Sequence, residues 1–172
     1  MGEEIGIEGV EPQTVVCVTA HTTLERLGDT LESALMEAWE YVERSRLEVV
    51  GPPFTRYHTF NEEHIELSTG FPVAAAPAGL MDEPPSCDGD GSMRARPSSS
   101  RVEVGELPGG RAAALTYLGS YFNLPGAYRA LGEWIVEQGL TPEGAPWEVY
   151  VSDPGSVRDP ESWQTRVFWP VR

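Results

Sequence analysis

Apolar positions along the chain recur with two different periods. Val15-Val16-Cys17-Val18-Thr19-Ala20 is β-branched and apolar, and predicts a strand. Directly after it Leu24, Leu27, Leu31, Leu35, Ala38 and Val42 step by three or four positions, which is the stripe of an amphipathic helix. The helix start is ambiguous: Thr22 with Glu25 and Asp29 with Glu32 both have capping-box spacing, and Gly28 between them weakens the longer version. Phe54 to Phe60 and Glu63 to Val73 predict a hairpin turning near Asn61-Glu62. The second half repeats the pattern, with a strand from Arg111 to Leu118 and a helix from about Pro125 to Gln138, closed by Gly139. Two further strands follow, Trp147 to Val151 and Gln164 to Val171.

Between Phe71 and Tyr117 no aromatic residue occurs, and half of the positions from Pro77 to Ser100 are Gly, Pro or Ser. Such a stretch buries too little surface to offset its ordering entropy and reads as a long connection. The halves also resemble each other. Gly51-Pro52-Pro53-Phe54-Thr55-Arg56-Tyr57 lies 93 residues before Gly144-Ala145-Pro146-Trp147-Glu148-Val149-Tyr150, with Gly, Pro, aromatic and Tyr in register. Tyr41-Val42-Glu43 matches Ile135-Val136-Glu137 at an offset of 94, and Phe71-Pro72-Val73 matches Trp169-Pro170-Val171 at 98. The expected architecture is α+β: tandem strand-helix-strand-strand modules, duplicated about a pseudo-twofold axis, with an antiparallel sheet and both helices on one face. Residues 1–172 form one domain, with modules at 13–76 and 101–172 and a linker at 77–100.

Composition narrows the function. Twenty-seven acidic residues against 12 basic ones give a formal net charge of −15, which disfavours direct binding to a phosphate backbone. All 12 basic residues are arginine, and the absence of lysine excludes a Walker A loop, a Schiff-base lysine and a Ser-x-x-Lys nucleophile pair. Two cysteines 70 positions apart suggest neither a disulfide framework nor a zinc knuckle. The acidic start, Met1 to Pro12, is unlike a secretory or transit peptide, and no apolar run approaches the ~20 residues of a membrane span. A cytoplasmic protein with no membrane association is expected.

Candidate chemistry follows from period-two alternation, which puts Trp147, Val149 and Val151 on one side of their strand and Glu148 and Tyr150 on the other. On the last strand Val167, Trp169 and Val171 oppose Gln164, Arg166 and Phe168. Taking the first set as the core beneath the helix puts Glu148, Tyr150 and Phe168 together on the face away from the helices. Thr55 and Tyr57 hold the equivalent positions of the first half, so a shared groove with aromatic walls and one acid is expected. The alternative is a solvated sheet face without function. His58 and His64 flank the hairpin turn with Glu62, Glu63 and Glu66 nearby, and read as a solvated turn; no metal and no cofactor are expected. Cys17 with His21 suggests a cysteine triad only if an acid joins them, and a cysteine inside a buried strand is usually inert. Pro108-Gly109-Gly110 reads as a turn, and the acidic run Glu32, Glu37, Glu40, Glu43 as the wet side of the first helix.

Gly119-Ser120-Tyr121 after a strand, Trp134-Ile135-Val136 closing a helix, Pro146-Trp147-Glu148-Val149-Tyr150, Asp153-Pro154 and the closing Phe168-Trp169-Pro170-Val171 resemble the GyrI-like small-molecule-binding domain. That domain also serves as the effector-binding half of AraC-type and MerR-type multidrug-responsive regulators. The resemblance runs from about Gln13 to Val171 and implies a ligand groove between the two modules. It also implies that Glu148 reads the positive charge of bulky aromatic cations, while Tyr150, Tyr121 and Phe168, with Tyr57 by the repeat, stack on the ligand. With no helix-turn-helix before Gln13 or after Val171, the chain resembles stand-alone members. Some of these hydrolyse cyclopropane-bearing DNA alkylators, where Glu148 and Tyr150 would be catalytic, and the namesake counteracts toxins acting on DNA gyrase. Thr55 stands where a second acid would complete the symmetry, so one cation site is expected rather than two.

Overall fold

The computed structural model describes residues 4–61, 63–75, 102–152 and 155–172, the Phe122 side chain excepted. The predicted linker at 77–100 lies outside these residues. In chain order the elements are β1 (Glu4–Val10), β2 (Gln13–Thr22), a 3-10 turn (Leu24–Arg26), α1 (Leu27–Arg44), β3 (Phe54–Phe60) and β4 (Ile65–Pro72). Then come β5 (Val102–Leu107), β6 (Gly110–Leu118), a 3-10 turn (Tyr121–Asn123), α2 (Leu124–Glu137), β7 (Trp147–Tyr150), a 3-10 turn (Pro160–Ser162) and β8 (Gln164–Pro170). The α+β architecture expected from the sequence is present, with one antiparallel sheet ordered β1-β6-β8-β7-β3-β4-β2-β5.

That order is symmetric. Exchanging β1 with β5, β2 with β6, β3 with β7 and β4 with β8 gives the same order read backwards. The symmetry axis runs between β3 and β7, where Thr55 pairs directly with Glu148. The isolated bridges agree, since Val49 pairs with Val73 and Pro142 with Val171. β1 and β5 were not among the predicted strands, and each crosses to the other half: β1 pairs with β6, and β5 with β2. The two connecting turns meet, and a Cβ on Gly109 would stand 2.4 Å from Pro12 Cδ, so only glycine fits there.

The start of α1 departs from the expected capping, and that of α2 agrees with it. Neither capping box forms at α1; no side chain caps Thr23 or Arg26, and the Thr22 hydroxyl bonds that of Thr30 over 2.8 Å. α2 has Pro125 in its first turn, and Gly139 beyond its end adopts φ +68°. The buried stripes are Ala34, Ala38 and Val42 on α1, and Ala127, Leu131 and Ile135 on α2, which correspond at an offset of 93. The sequence match at 94 is therefore one residue out: it aligned Val42 with Val136, which is 70% exposed, rather than with buried Ile135.

The pairing ladder Val18-Thr69-Thr55-Glu148-Val167-Leu115 runs across one face of the sheet. Val18 packs with the α1 stripe and Leu115 and Val167 with the α2 stripe, so both helices cover this face. The opposite face is also buried, because the sheet curls on itself: Val15 and Cys17 of β2 share a cluster with Ala112 and Ala114 of β6, with Phe54, Trp147 and Phe168 between them. This corrects the assignment of faces. Trp147 and Val149 lie in the curl, away from the helices, and Glu148 and Tyr150 lie on the helix-bearing side. Alternation separates two faces, but with both buried, apolar character does not say which one carries the helices.

Candidate ligand-binding site

α1 packs over β2 and β4 and α2 over β6, so the central pair β3 and β7 forms the floor between the helices. Glu148 sits in the middle of that floor and is only 3% exposed. A carboxylate so placed has lost its water, and three phenols replace it. The Tyr57 hydroxyl donates to Oε1 over 3.1 Å, the Tyr128 hydroxyl to Oε2 over 2.9 Å, and the Tyr150 hydroxyl closely contacts Oε1. Tyr57 comes from β3, Tyr150 from β7 and Tyr128 from α2, so both halves and both layers hold the same side chain.

The hydroxyl network continues from Tyr150 to Thr55 Oγ1 (2.8 Å), from Thr55 to Thr69 Oγ1 (3.0 Å), and from Thr69 to the Phe54 carbonyl (2.8 Å). The carbonyl can only accept, so Thr69 donates to it, Thr55 donates to Thr69, and Tyr150 donates to Thr55. The Tyr150 proton is then spent, and its contact with Glu148 is a hydrogen bond only if Glu148 carries a proton. A neutral carboxyl satisfies all four contacts; an ionised one leaves one unmade. Burial agrees with this accounting, raising the Glu148 carboxyl above its usual range despite the opposing pull of the bonds that Tyr128 and Tyr57 donate to it. Burial also pushes the phenols of Tyr57, Tyr128 and Tyr150 well above theirs, and an ionised Glu148 would push them further, so all three stay protonated donors.

Aromatic rings flank this floor on two sides. Tyr57 meets Tyr128 edge-on at 6.3 Å and Phe60 at 5.5 Å. Tyr121 meets Tyr150 at 5.4 Å and Trp163 at 4.7 Å. Of the residues singled out in the sequence, Glu148, Tyr150, Tyr57 and Tyr121 come together here. Phe168 does not; it lies through the sheet, stacked on Trp147 at 5.5 Å and 17°. Three contributors were missed. Tyr128 flanks the α2 stripe, Trp163 precedes β8 outside any predicted element, and Phe60 ends β3 beyond the repeat match. Cys17 is buried inside β2, and burial pushes its thiol up to about 11 and leaves it a poor nucleophile, in line with the inert cysteine expected there.

A family model for the GyrI-like small molecule binding domain matches residues 3–172. The chain belongs to the GyrI-like family. No curated protein matches it in sequence. Among solved structures, this GyrI-like chain is similar to the C-terminal domain of EcmrR, with 16% identity, 100% of this chain and 99% of that one covered, and a TM-score of 0.78. It spans only 57% of the EcmrR chain in the DNA-bound complex, with 99% of its own length covered, 16% identity and a TM-score of 0.77. A hydrolase from Listeria innocua shares 15% identity over 98% of this chain and 92% of its own, with a TM-score of 0.63. SAV2435, whose structure is bound to tetraphenylphosphonium, shares 10% over 98% and 94%, with a TM-score of 0.57. At these identities the likeness is one of fold. Among the described residues no helix is long and apolar enough to cross a membrane.

Proposed function

We propose that this chain binds bulky hydrophobic aromatic cations between its two helices, with Glu148 as the counter-charge. The observation that carries the reading is a single carboxyl, buried at the symmetry axis, held by three phenols and bordered by two aromatic clusters. A delocalised cation loses little hydration on entering such a site, and it gains charge pairing plus face contacts of about 0.5–2 kcal/mol per ring. The three phenols already contact the carboxyl, so a cation that pairs with it competes with them. The bound tetraphenylphosphonium of the structural neighbour SAV2435 supports this class of ligand.

The test is a titration with tetraphenylphosphonium and with a neutral aromatic of similar size, on the wild type and on Glu148→Gln. The substitution is expected to weaken cation binding by about 1–3 kcal/mol, roughly 5- to 150-fold, and to leave the neutral compound nearly unchanged. Equal cation affinity in both proteins overturns the reading. A second reading, hydrolysis of strained electrophiles such as cyclopropane-bearing alkylators, is favoured by the same raised carboxyl. Held neutral, Glu148 is a general acid in reach of Tyr150, able to protonate the carbonyl oxygen conjugated to the ring as water adds to a ring carbon and the strained C–C bond breaks, and then to take back the proton that the added water loses. Under that reading Glu148→Gln retains substrate affinity and loses turnover by about 10²–10⁴-fold.

A further inference from the structure

All three histidines of the chain lie at one end of the β2-β4-β3 ladder, on the face away from the helices. His21 of β2 pairs directly across from Glu66 of β4, and His64 lies two positions before Glu66, on the same side. The His21 and His64 rings stack at 5.4 Å with only 24° between their planes. The result is two imidazoles and a carboxylate whose ligand atoms all lie within 4.8 Å of one another. Both histidines are exposed and Glu66 is half-buried, so water and ions reach them freely. The backbone beneath is fixed, with β2 and β4 in continuous register from Thr22-Ile65 to Val15-Pro72 and the Asn61 side chain accepting from the His64 amide over 2.7 Å.

We propose that His21, His64 and Glu66 form a site for Zn²⁺ or a similar late first-row divalent ion, separate from the Glu148 groove. Two imidazole nitrogens and one carboxylate oxygen are a donor set that suits zinc, and they leave a fourth tetrahedral position to water. Tetrahedral bonds of about 2.0–2.1 Å put neighbouring donors roughly 3.3 Å apart. The observed 4.8 Å limit therefore closes by side-chain rotation, without movement of the strands. Hard ions such as Mg²⁺ and Ca²⁺ gain little from imidazole and are not expected to compete. His58 is the internal control, because its Nε2 is taken up by Ser68 Oγ at 2.8 Å, and Ser68 in turn bonds Thr19 at 3.0 Å. The ion would join β2 to the turn end of β4 across the sheet from the ligand-binding floor. Its loss would leave cation binding at Glu148 unchanged.

The experiment is a ZnCl₂ titration of the full chain against a chromophoric chelator, with stoichiometry read by native mass spectrometry. One zinc per chain is expected. His21→Ala and His64→Ala should each weaken binding at least about tenfold, and His58→Ala should not. As a measurement that needs no variant, the side-chain ¹H–¹⁵N spectrum of the wild type should show zinc shifting the resonances of two histidines and sparing the third. Zinc should also raise the melting temperature of the wild type, and Mg²⁺ at the same concentration should not. Absence of bound zinc in the wild type, unchanged binding in both alanine variants, or equal perturbation of all three histidines would overturn the proposal.

Discussion

At the axis of the sheet the two halves put corresponding residues face to face, Thr55 from β3 and Glu148 from β7. Their surroundings are alike in backbone and differ in chemistry. Each is followed two positions later by a tyrosine, Tyr57 or Tyr150, and both phenols turn toward the same carboxyl. The helices differ likewise: the α1 position that corresponds to Tyr128 is Leu35, so only α2 sends a hydroxyl down to the floor. Duplication supplies a symmetric scaffold with a natural cleft, and two substitutions, an acid at one place and a phenol at another, give it one charged site. Two carboxylates directly opposed would repel, and burial leaves no water to screen them.

Restoring the symmetry is the most severe test of this comparison. Thr55→Glu places a second carboxyl at a position that is 0% exposed and removes the hydroxyl that links Tyr150 to Thr69. An uncompensated buried charge costs about 3–5 kcal/mol, and the added volume about 1–3 more. Denaturant unfolding at pH 7 should show a loss of this order, shrinking at low pH where both carboxyls are neutral. A variant as stable as the wild type would mean that the floor is wet.

Phe168→Ala examines the other face. The corresponding residue in the first half is Gly70, whose added Cβ would stand 1.9 Å from the Val16 carbonyl of the paired strand β2, so one half has no side chain where the other has a ring. Removing Phe168 should destabilise the fold by about 3–5 kcal/mol. Cation affinity of the remaining folded protein should change less than about twofold, since the ring contacts Trp147 through the sheet from Glu148. A large loss of affinity with little loss of stability would return Phe168 to the binding site.

Much of the scaffold was legible because it rests on local pattern: the two helices, the hairpin of β3 and β4, and the offset that pairs Thr55 with Glu148, although the stripe read for α1 began at Leu24, which is exposed, and passed over buried Ala34. What the sequence hid depends on long-range packing. β1 and β5 are short, rich in Gly and Glu, and owe their place to partners about a hundred residues away. The side of β7 that faces the helices was misread, while that of β8 was not, because Trp147 joins Phe168 in a curl that alternation does not foretell. Tyr128 reads as one more residue beside an apolar stripe; its four-residue distance from Leu124 says that it lies near the core, and only the crossing of α2 over the floor aims its hydroxyl at Glu148. His21 is likewise joined to His64 and Glu66 by strand pairing alone.

Tyr128→Phe sharpens the contrast between the helices by making α2 resemble α1 in polarity. The ring and its packing stay, and one donor to Oε2 is lost. An unpaired buried acceptor costs about 1–3 kcal/mol when the carboxyl is charged, and less when it is neutral. Since that bond holds the Glu148 carboxyl down, its removal should raise the carboxyl further. Unfolding experiments should therefore show a larger defect at pH 8 than at pH 5, whereas Leu35→Ala should show one that is independent of pH.

The smallest effect expected is a slope in pH. The Glu148 carboxyl is raised above 4.5 in the folded protein, so between that value and its folded one the native state binds more protons than the unfolded chain. Its contribution to stability is complete below the unfolded value and is lost as pH rises through the folded one. A permanent cation prefers the ionised form, so its affinity should move the opposite way, increasing by at most tenfold per pH unit, about 1.4 kcal/mol, and levelling off once Glu148 is ionised. Each cation bound below the plateau should release up to one proton, measurable by calorimetry in buffers of different ionisation enthalpy. The phenols are pushed upward and do not titrate in this range, so the slope belongs to Glu148 and should vanish in Glu148→Gln. Binding that is flat with pH in the wild type, with no proton released, would show that the carboxyl is ionised before the ligand arrives, and the proton placed in the Tyr150-Thr55-Thr69 chain would have to be withdrawn.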